Sequence, residues 1–203
     1  GKIMSRLSLE RKAKVIIWDI NTENIGNTLK ELSPLGDIFA NVVDISNLQE
    51  IETTAQKLKK EHGIIDVLIN NAGIVVGKYF HEHSAAEIEK TFSINSSAPM
   101  HICNQFLSDL MGGNAGHICN IASSASLVSN PKMSVYAASK WAIFSWSDSL
   151  RLEMKQLQKD IKVTTILPYY INTGMFDGVQ SRIPILDPEA AALTIIKAIE
   201  KNK

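Results

Sequence analysis

Residues Ser134 to Ala142 read SVYAASKWA, with a tyrosine and a lysine four positions apart and only Ala137, Ala138 and Ser139 between them. In an α-helix, positions i and i+4 stand about 5 to 6 Å apart at Cβ, so Tyr136 and Lys140 share one patch of one helical face. The small residues between them are expected to let bound molecules lie against that face. A Tyr-x-x-x-Lys pair alone also arises by chance, as a partly buried tyrosine beside a solvated lysine. Its meaning depends on what surrounds it.

Working outward, short apolar runs alternate with stretches of helical period along the whole chain, the rhythm of βαβ units and a parallel sheet. The runs that read as strands are Lys14 to Asp19 (KVIIWD), Ile38 to Asp44 (IFANVVD), Asp66 to Asn70 (DVLIN), Gly116 to Ile121 (GHICNI) and Lys162 to Leu167 (KVTTIL). Most are β-branched without polar alternation, as expected when helices cover both faces. Helices are expected over Lys2 to Arg11, Glu23 to Leu32, Leu48 to His62, Ser84 to Met111, Tyr136 to Gln158 and Pro188 to Lys201. Ser46 and Asp187 stand where N-caps belong, and Pro188 suits a first turn. The expected fold is a single α/β domain with a doubly wound, Rossmann-type parallel sheet in three α/β/α layers.

Composition agrees. A chain of 203 residues with 45% apolar and 21% charged residues is ordinary for one globular domain. Basic and acidic residues number 21 each, and no basic block offers a footprint for a phosphate backbone, which argues against nucleic acid. The apolar runs are too short to span a bilayer. Cys103 and Cys119 have neither the number nor the spacing of a disulfide framework or zinc site, so a reducing, cytoplasmic setting is expected. His81 and His83, in HEH, read as a solvated loop rather than a metal site, since no third ligand is in view.

In a doubly wound nucleotide-binding sheet, the first strand and its glycine-rich turn precede the first helix and lie mid-sheet. Here Gly1 is followed at once by a helical pattern. The expectation is that the sequence begins inside the dinucleotide fingerprint, with Gly1 as its last glycine and the first strand absent.

Each strand then ends on residues suited to a ligand at the carboxyl edge of such a sheet. Asp19 lies 18 residues after Gly1, near the spacing at which a carboxylate accepts hydrogen bonds from an adenosine ribose. That carboxylate would repel a 2′-phosphate and so favours NAD over NADP; the plainer reading is a surface turn residue. Asp44 and Ile45 end the next strand and would lie beside the adenine, though Asp44 reads equally as a turn residue paired with Ser46. NNAG, Asn70 to Gly73, offers Asn71, Ala72 and Gly73, small enough for close backbone approach. Ser123 follows the strand GHICNI, 13 residues before Tyr136. Pro168 and Thr173, in PYYINTGM, follow the last strand.

This ordered set resembles the short-chain dehydrogenase/reductase family over essentially the whole chain, and PYYINTGMF is similar to the branch handling retinoids and 17β-hydroxysteroids. The resemblance implies an NAD-dependent oxidoreductase acting on a hydrophobic alcohol or its carbonyl. It carries the family's catalytic set onto Asn95 (in FSINSSAP), Ser123, Tyr136 and Lys140. It further implies that Lys140 holds the nicotinamide ribose, that Asn95 bends its helix to place a relay water, and that the protein assembles as a homo-oligomer. The phosphate loop TGxxxGxG is missing apart from Gly1, and Tyr169 replaces the glycine that commonly follows Pro168.

Lowering a phenol from about 10 by three units requires roughly 4 kcal/mol. An ammonium about 5.5 Å away at an effective dielectric near 20 supplies roughly 3. Lys140 is therefore expected to do most of the tuning of Tyr136 as general acid/base. Trp141, Phe144 and Trp146 read as core or subunit-interface residues; Tyr169, Tyr170, Met175 and Phe176 either line a lipid-like site or pack. Two other readings stay open: a non-catalytic nucleotide-binding scaffold, and a truncated member lacking the phosphate loop. Attachment to a membrane through further segments also stays open.

Overall fold

Parallel strands without polar alternation bury both faces only if helices lie above and below them. A computed structural model describes residues 1–113, 115–174 and 184–201 and has this arrangement. In chain order the elements are α1 (Lys2–Glu10), β1 (Val15–Asp19), α2 (Thr22–Leu32), β2 (Ile38–Val42), α3 (Leu48–His62) and β3 (Val67–Asn70). They continue with α4 (Ala85–Phe92), α5 (Ala98–Gly112), β4 (Gly116–Ile121), α6 (Ser134–Gln156), β5 (Ile161–Ile166) and α7 (Pro188–Glu200).

Every ladder is parallel. β1 pairs with β2, Val15 opposite Ile38, and β3–β4–β5 form a second ladder with Val67 opposite His117 and Gly116 opposite Ile161. The expected sheet is therefore divided: β1 and β3 make no ladder with each other among the described residues. Both ladders nevertheless share one core. Ile16 and Trp18 of β1 and Leu68 of β3 pack against Ile51 and Leu58 of α3, Phe106 and Leu110 of α5 and Met154 of α6.

Successive strand residues face opposite layers. Ile118 of β4 points into that core, whereas Cys119 points into a second one built by Met4 and Leu7 of α1 with Ile195 and Ile196 of α7. Burying each such aliphatic side chain is worth about 1.5 to 3 kcal/mol, so the two cores hold α6 and the strand ends in fixed relation.

Local signals place the helix starts. Asp187 accepts from the Ala190 amide at 2.8 Å, as expected of a cap. Ser84 and Glu87 form a reciprocal capping box at α4. Ser46 is not the cap of α3. Asn47 takes that role, accepting from Gln49 and Glu50 amides, because Ser46 is held by the Asp44 carboxylate at 2.7 Å.

The single helix expected over Ser84 to Met111 is interrupted by a π-turn, Ser93–Ser97, in which the Ala98 amide reaches back to the Ser93 carbonyl. Pro99 has no N–H to give the Asn95 carbonyl four residues earlier, and its ring crowds that carbonyl. The widened turn accommodates it.

Gly116 opens β4 where there is no room for a side chain: a Cβ there would lie 2.8 Å from Ile161 Cδ1 and 2.9 Å from Leu110 Cδ2. Gly116→Ala is expected to destabilise the fold by about 1 to 2 kcal/mol through overpacking. A urea unfolding midpoint unchanged from wild type would show that the junction has slack.

Candidate active site

Strand carboxyl ends and one helix face converge on Lys140. β4 ends at Ile121, whose carbonyl accepts a hydrogen bond from Lys140 Nζ at 2.8 Å. The same ammonium lies 6.0 Å from the centroid of the Tyr136 ring, one turn earlier on α6. Two residues past β4, Ser123 starts a short 3-10 turn, its Oγ accepting from the Ala125 amide at 3.1 Å, and it also hydrogen-bonds Tyr136. Beyond β3, Gly73 closes the group: a Cβ there would stand 3.2 Å from Asn95 Oδ1 and 3.4 Å from Lys140 Nζ. Ser123, Tyr136, Lys140 and Asn95 thus meet at one sheet edge, and all four are buried.

Burial dominates the electrostatics. It pushes the Lys140 ammonium down to about 8 and raises the Tyr136 phenol above its ordinary range, with the Ser123 hydrogen bond acting the other way and Tyr170 adding to the rise. This corrects the expectation that Lys140 brings the phenol down. Desolvation is the largest cause for both groups in the bare site.

The small residues of YAASK also differ from expectation. Ala137 packs with Ala125, Val75 and Met133, and Ser139 is 0% exposed, so both serve close packing within the protein; only Ala138 is open.

Asn95 is fully engaged. Its Oδ1 accepts from the Ile74 amide at 2.8 Å, and its Nδ2 donates to the Ile74 carbonyl at 2.9 Å and to Ser139 Oγ at 3.0 Å. Behind the site runs a buried chain that sequence reasoning missed. Asn70 Nδ2 donates to Asn120 Oδ1, and Asn120 Nδ2 donates to Ser147 Oγ, each at 2.8 Å, tying β3, β4 and α6 together. The one available signal was an asparagine near the end of each of two apolar strands.

The residues expected to hold a dinucleotide lie along the same edge. Asp19 is exposed at the end of β1, its Oδ1 accepting from the Asn21 amide at 2.9 Å. Gly1 is beside Asn71, where a Cβ would lie 3.6 Å from Asn71 Nδ2. Asn71 and Ala72 are open to solvent. Pro168 accepts from the Ser124 amide at 2.9 Å, bringing the end of β5 to Ser123, and Thr173 is exposed nearby in sequence.

Asp44 accepts from both the amide and hydroxyl of Ser46, which hold its carboxyl below the usual range, and Ile45 packs against the main core. An open strand edge with a carboxylate at one end, glycine-tight backbone in the middle and a buried ammonium beyond fits a dinucleotide.

Tyr169 and Tyr170 pack with tilted rings, centroids 4.6 Å apart, and Lys132 stands 5.0 Å over the Tyr79 ring. Met175 and Phe176 lie outside the described residues. His81 stacks on Tyr79, but both ring nitrogens of His83 are buried without a partner among the described residues, unlike a solvated loop. No group of three potential metal ligands occurs among the described residues. Trp146 packs on the core, and Trp141 is 45% exposed. No described helix is long and apolar enough to cross a membrane.

The parallel α/β/α fold, with serine, tyrosine and lysine gathered and buried at the strand ends, defines a doubly wound domain with its polar site at the carboxyl edge of the sheet. The chain belongs to the short chain dehydrogenase family, which it matches over residues 1–183. It is 35% identical to epidermal retinol dehydrogenase 2 of Mus musculus, covering 98% of this chain and 67% of that protein. It is 32% identical to estradiol 17-beta-dehydrogenase 11 of Macaca fascicularis, with the same coverage of 98% and 67%. The branch suggested by PYYINTGMF is that of these relatives. The chain spans about two thirds of the length of the curated relatives it matches.

Among solved structures, a short chain dehydrogenase/reductase from Burkholderia phymatum in complex with NAD superposes with TM-score 0.90 at 22% identity, covering 100% of this chain and 82% of that one. A metagenomic short-chain oxidoreductase in complex with NADP gives 0.85 at 24%, covering 98% and 84%. These likenesses establish the fold.

Burial of Lys140 has a pH signature. Between about 8 and the ordinary lysine value of 10.5, the unfolded chain holds a proton that the folded chain has released, so stability rises with pH across that window. Relative to Lys140→Met, the wild type should gain on the order of 2 kcal/mol between pH 7 and pH 10 in denaturant titrations. A difference that stays flat with pH would show that the ammonium is not desolvated.

Proposed function

We propose that this protein interconverts a hydrophobic alcohol, retinoid- or steroid-like, and its carbonyl by hydride exchange with a nicotinamide dinucleotide. The observation that carries the reading is the buried meeting of Ser123, Tyr136 and Lys140 at the ends of β3 and β4, beside the close backbone approach at Gly73. The names of the relatives, a retinol and an estradiol dehydrogenase, support the substrate class. The neighbours are bound to NAD and to NADP. The exposed Asp19 carboxylate at the end of β1 favours NAD here, since a 2′-phosphate would meet its charge.

When bound, the nicotinamide ring supplies the site that accepts or returns hydride. The chain's own groups manage the proton and the oxygen. Tyr136 takes the proton from the alcohol oxygen as the carbon loses hydride and becomes a carbonyl; in reverse it returns the proton to the forming alkoxide. Ser123 donates a hydrogen bond to that oxygen, where charge develops. Lys140, held by the Ile121 carbonyl, places positive charge beside the phenol and would hold the ribose of a bound dinucleotide. Asn95 braces the turn between Ile74 and α6. The reading includes a homo-oligomer, for which α6 presents Trp141 and Leu152, 45% and 50% exposed.

Tyr136→Phe should abolish nearly all turnover, a fall of about 10²-fold or more, while leaving NAD affinity within a few-fold of wild type. The assay is NADH formation over a panel of retinol, estradiol and simple alcohols. A variant that keeps substantial turnover would remove Tyr136 from the chemistry.

A further inference from the structure

We propose that Ser139 is a positioning residue for this reaction: consecutive residues of the π-turn grip its hydroxyl and its carbonyl, fixing the turn of α6 that carries Tyr136 and Lys140. The inference rests on the function proposed above.

Asn95 Nδ2 donates to Ser139 Oγ at 3.0 Å, and Ser96 Oγ donates to the Ser139 carbonyl at 2.9 Å. Ser139 Oγ in turn donates a hydrogen bond to the Tyr136 carbonyl at 2.7 Å. Consecutive residues of a regular α-helix project about 100° apart, so they do not ordinarily address one partner. The π-turn Ser93–Ser97, set by Pro99, turns Asn95 and Ser96 onto the same neighbour. All three residues are buried, Ser139 completely, so each bond is made without competition from water.

The contacts close a ring around the ammonium. Gly73 lies against Lys140 Nζ, and Ile74 beside it is held by both ends of the Asn95 amide. Asn95 holds Ser139, and Ser139 holds the backbone of Tyr136. On the far side Ser126 Oγ donates to the Lys140 carbonyl at 2.8 Å, so successive carbonyls of the reactive turn are each pinned by a side-chain hydroxyl from elsewhere. Without the Ser139 hydroxyl, one Asn95 N–H loses its acceptor and the Tyr136 carbonyl loses a donor. The loss falls on the orientation of the phenol and ammonium rather than on the groups that contact substrate.

Displacements of about 1 Å in such groups cost on the order of 10²-fold in rate. Ser139→Ala is therefore expected to lower kcat by about 10- to 100-fold, leave the KM for NAD within about twofold, and move the pH midpoint of kcat. Ser139→Cys, which keeps a weak donor and acceptor, should recover part of the rate. Ser96→Ala, which removes the carbonyl half of the grip, should lower kcat in the same direction by a smaller factor, and this serves as the measurement if Ser139→Ala does not fold.

A folded Ser139→Ala enzyme with wild-type kcat and pH profile, or one that loses only thermal stability, overturns the positioning role, as does an inert Ser96→Ala where it is the measurement. Tyr136→Phe, assayed alongside, separates the two readings. If it retains turnover, the underlying mechanism fails; if it is inactive and Ser139→Ala is normal, only the role of Ser139 fails.

Discussion

A buried lysine ammonium resting on a strand-end carbonyl is the constraint around which this site is organised. Lys140 Nζ gives up water for the Ile121 carbonyl at 2.8 Å, and desolvation lowers its proton affinity to about 8. From its ordinary value that difference is worth on the order of 3 kcal/mol, which the surrounding fold must hold in place. The holding elements are specific. The chain Asn70–Asn120–Ser147 locks α6 across β3 and β4, Gly73 leaves no side chain in the way, and the two apolar cores clamp the sheet from both sides.

The order in which the pair loses protons follows from burial. In the bare site burial pushes the ammonium down to about 8, whereas it pushes the phenol above its ordinary range. Two groups this close titrate as a unit, so a proton that leaves the pair can be drawn from either member, according to the charge around it. Positive charge arriving beside the phenol favours the state with phenolate and ammonium both present. On the mechanism proposed above, the tyrosine would become a base only in a loaded site.

Much of this was legible because strands and helices announce themselves locally. GHICNI gave β4 to the residue, and Leu48 to His62 gave α3, since β-branched runs and amphipathic periods are short-range signals. The order of strand-end motifs put Ser123, Tyr136 and Lys140 on one edge, and the family resemblance added Asn95. Long-range partners were not legible. Ser139 looked merely small, because its partners lie 43 and 44 residues away and leave no mark on its own neighbourhood. The cap of α3 was misassigned because Ser46 and Asn47 are both good caps, and only the competing pull of Asp44 decides between them. Pro99, four residues after Asn95, was the one local hint of the π-turn. In the bare site the phenol's shift runs opposite to the expected one, because Coulomb attraction can be written down from spacing, while desolvation depends on a core that sequence does not display.

The most direct test is an ultraviolet titration of the Tyr136 phenol, taken as wild type minus Tyr136→Phe, with and without saturating oxidised NAD. Binding is verified separately by calorimetry. Phenolate should appear only above the ordinary tyrosine range in the protein alone and at markedly lower pH with NAD bound. An identical midpoint in both states would contradict the account.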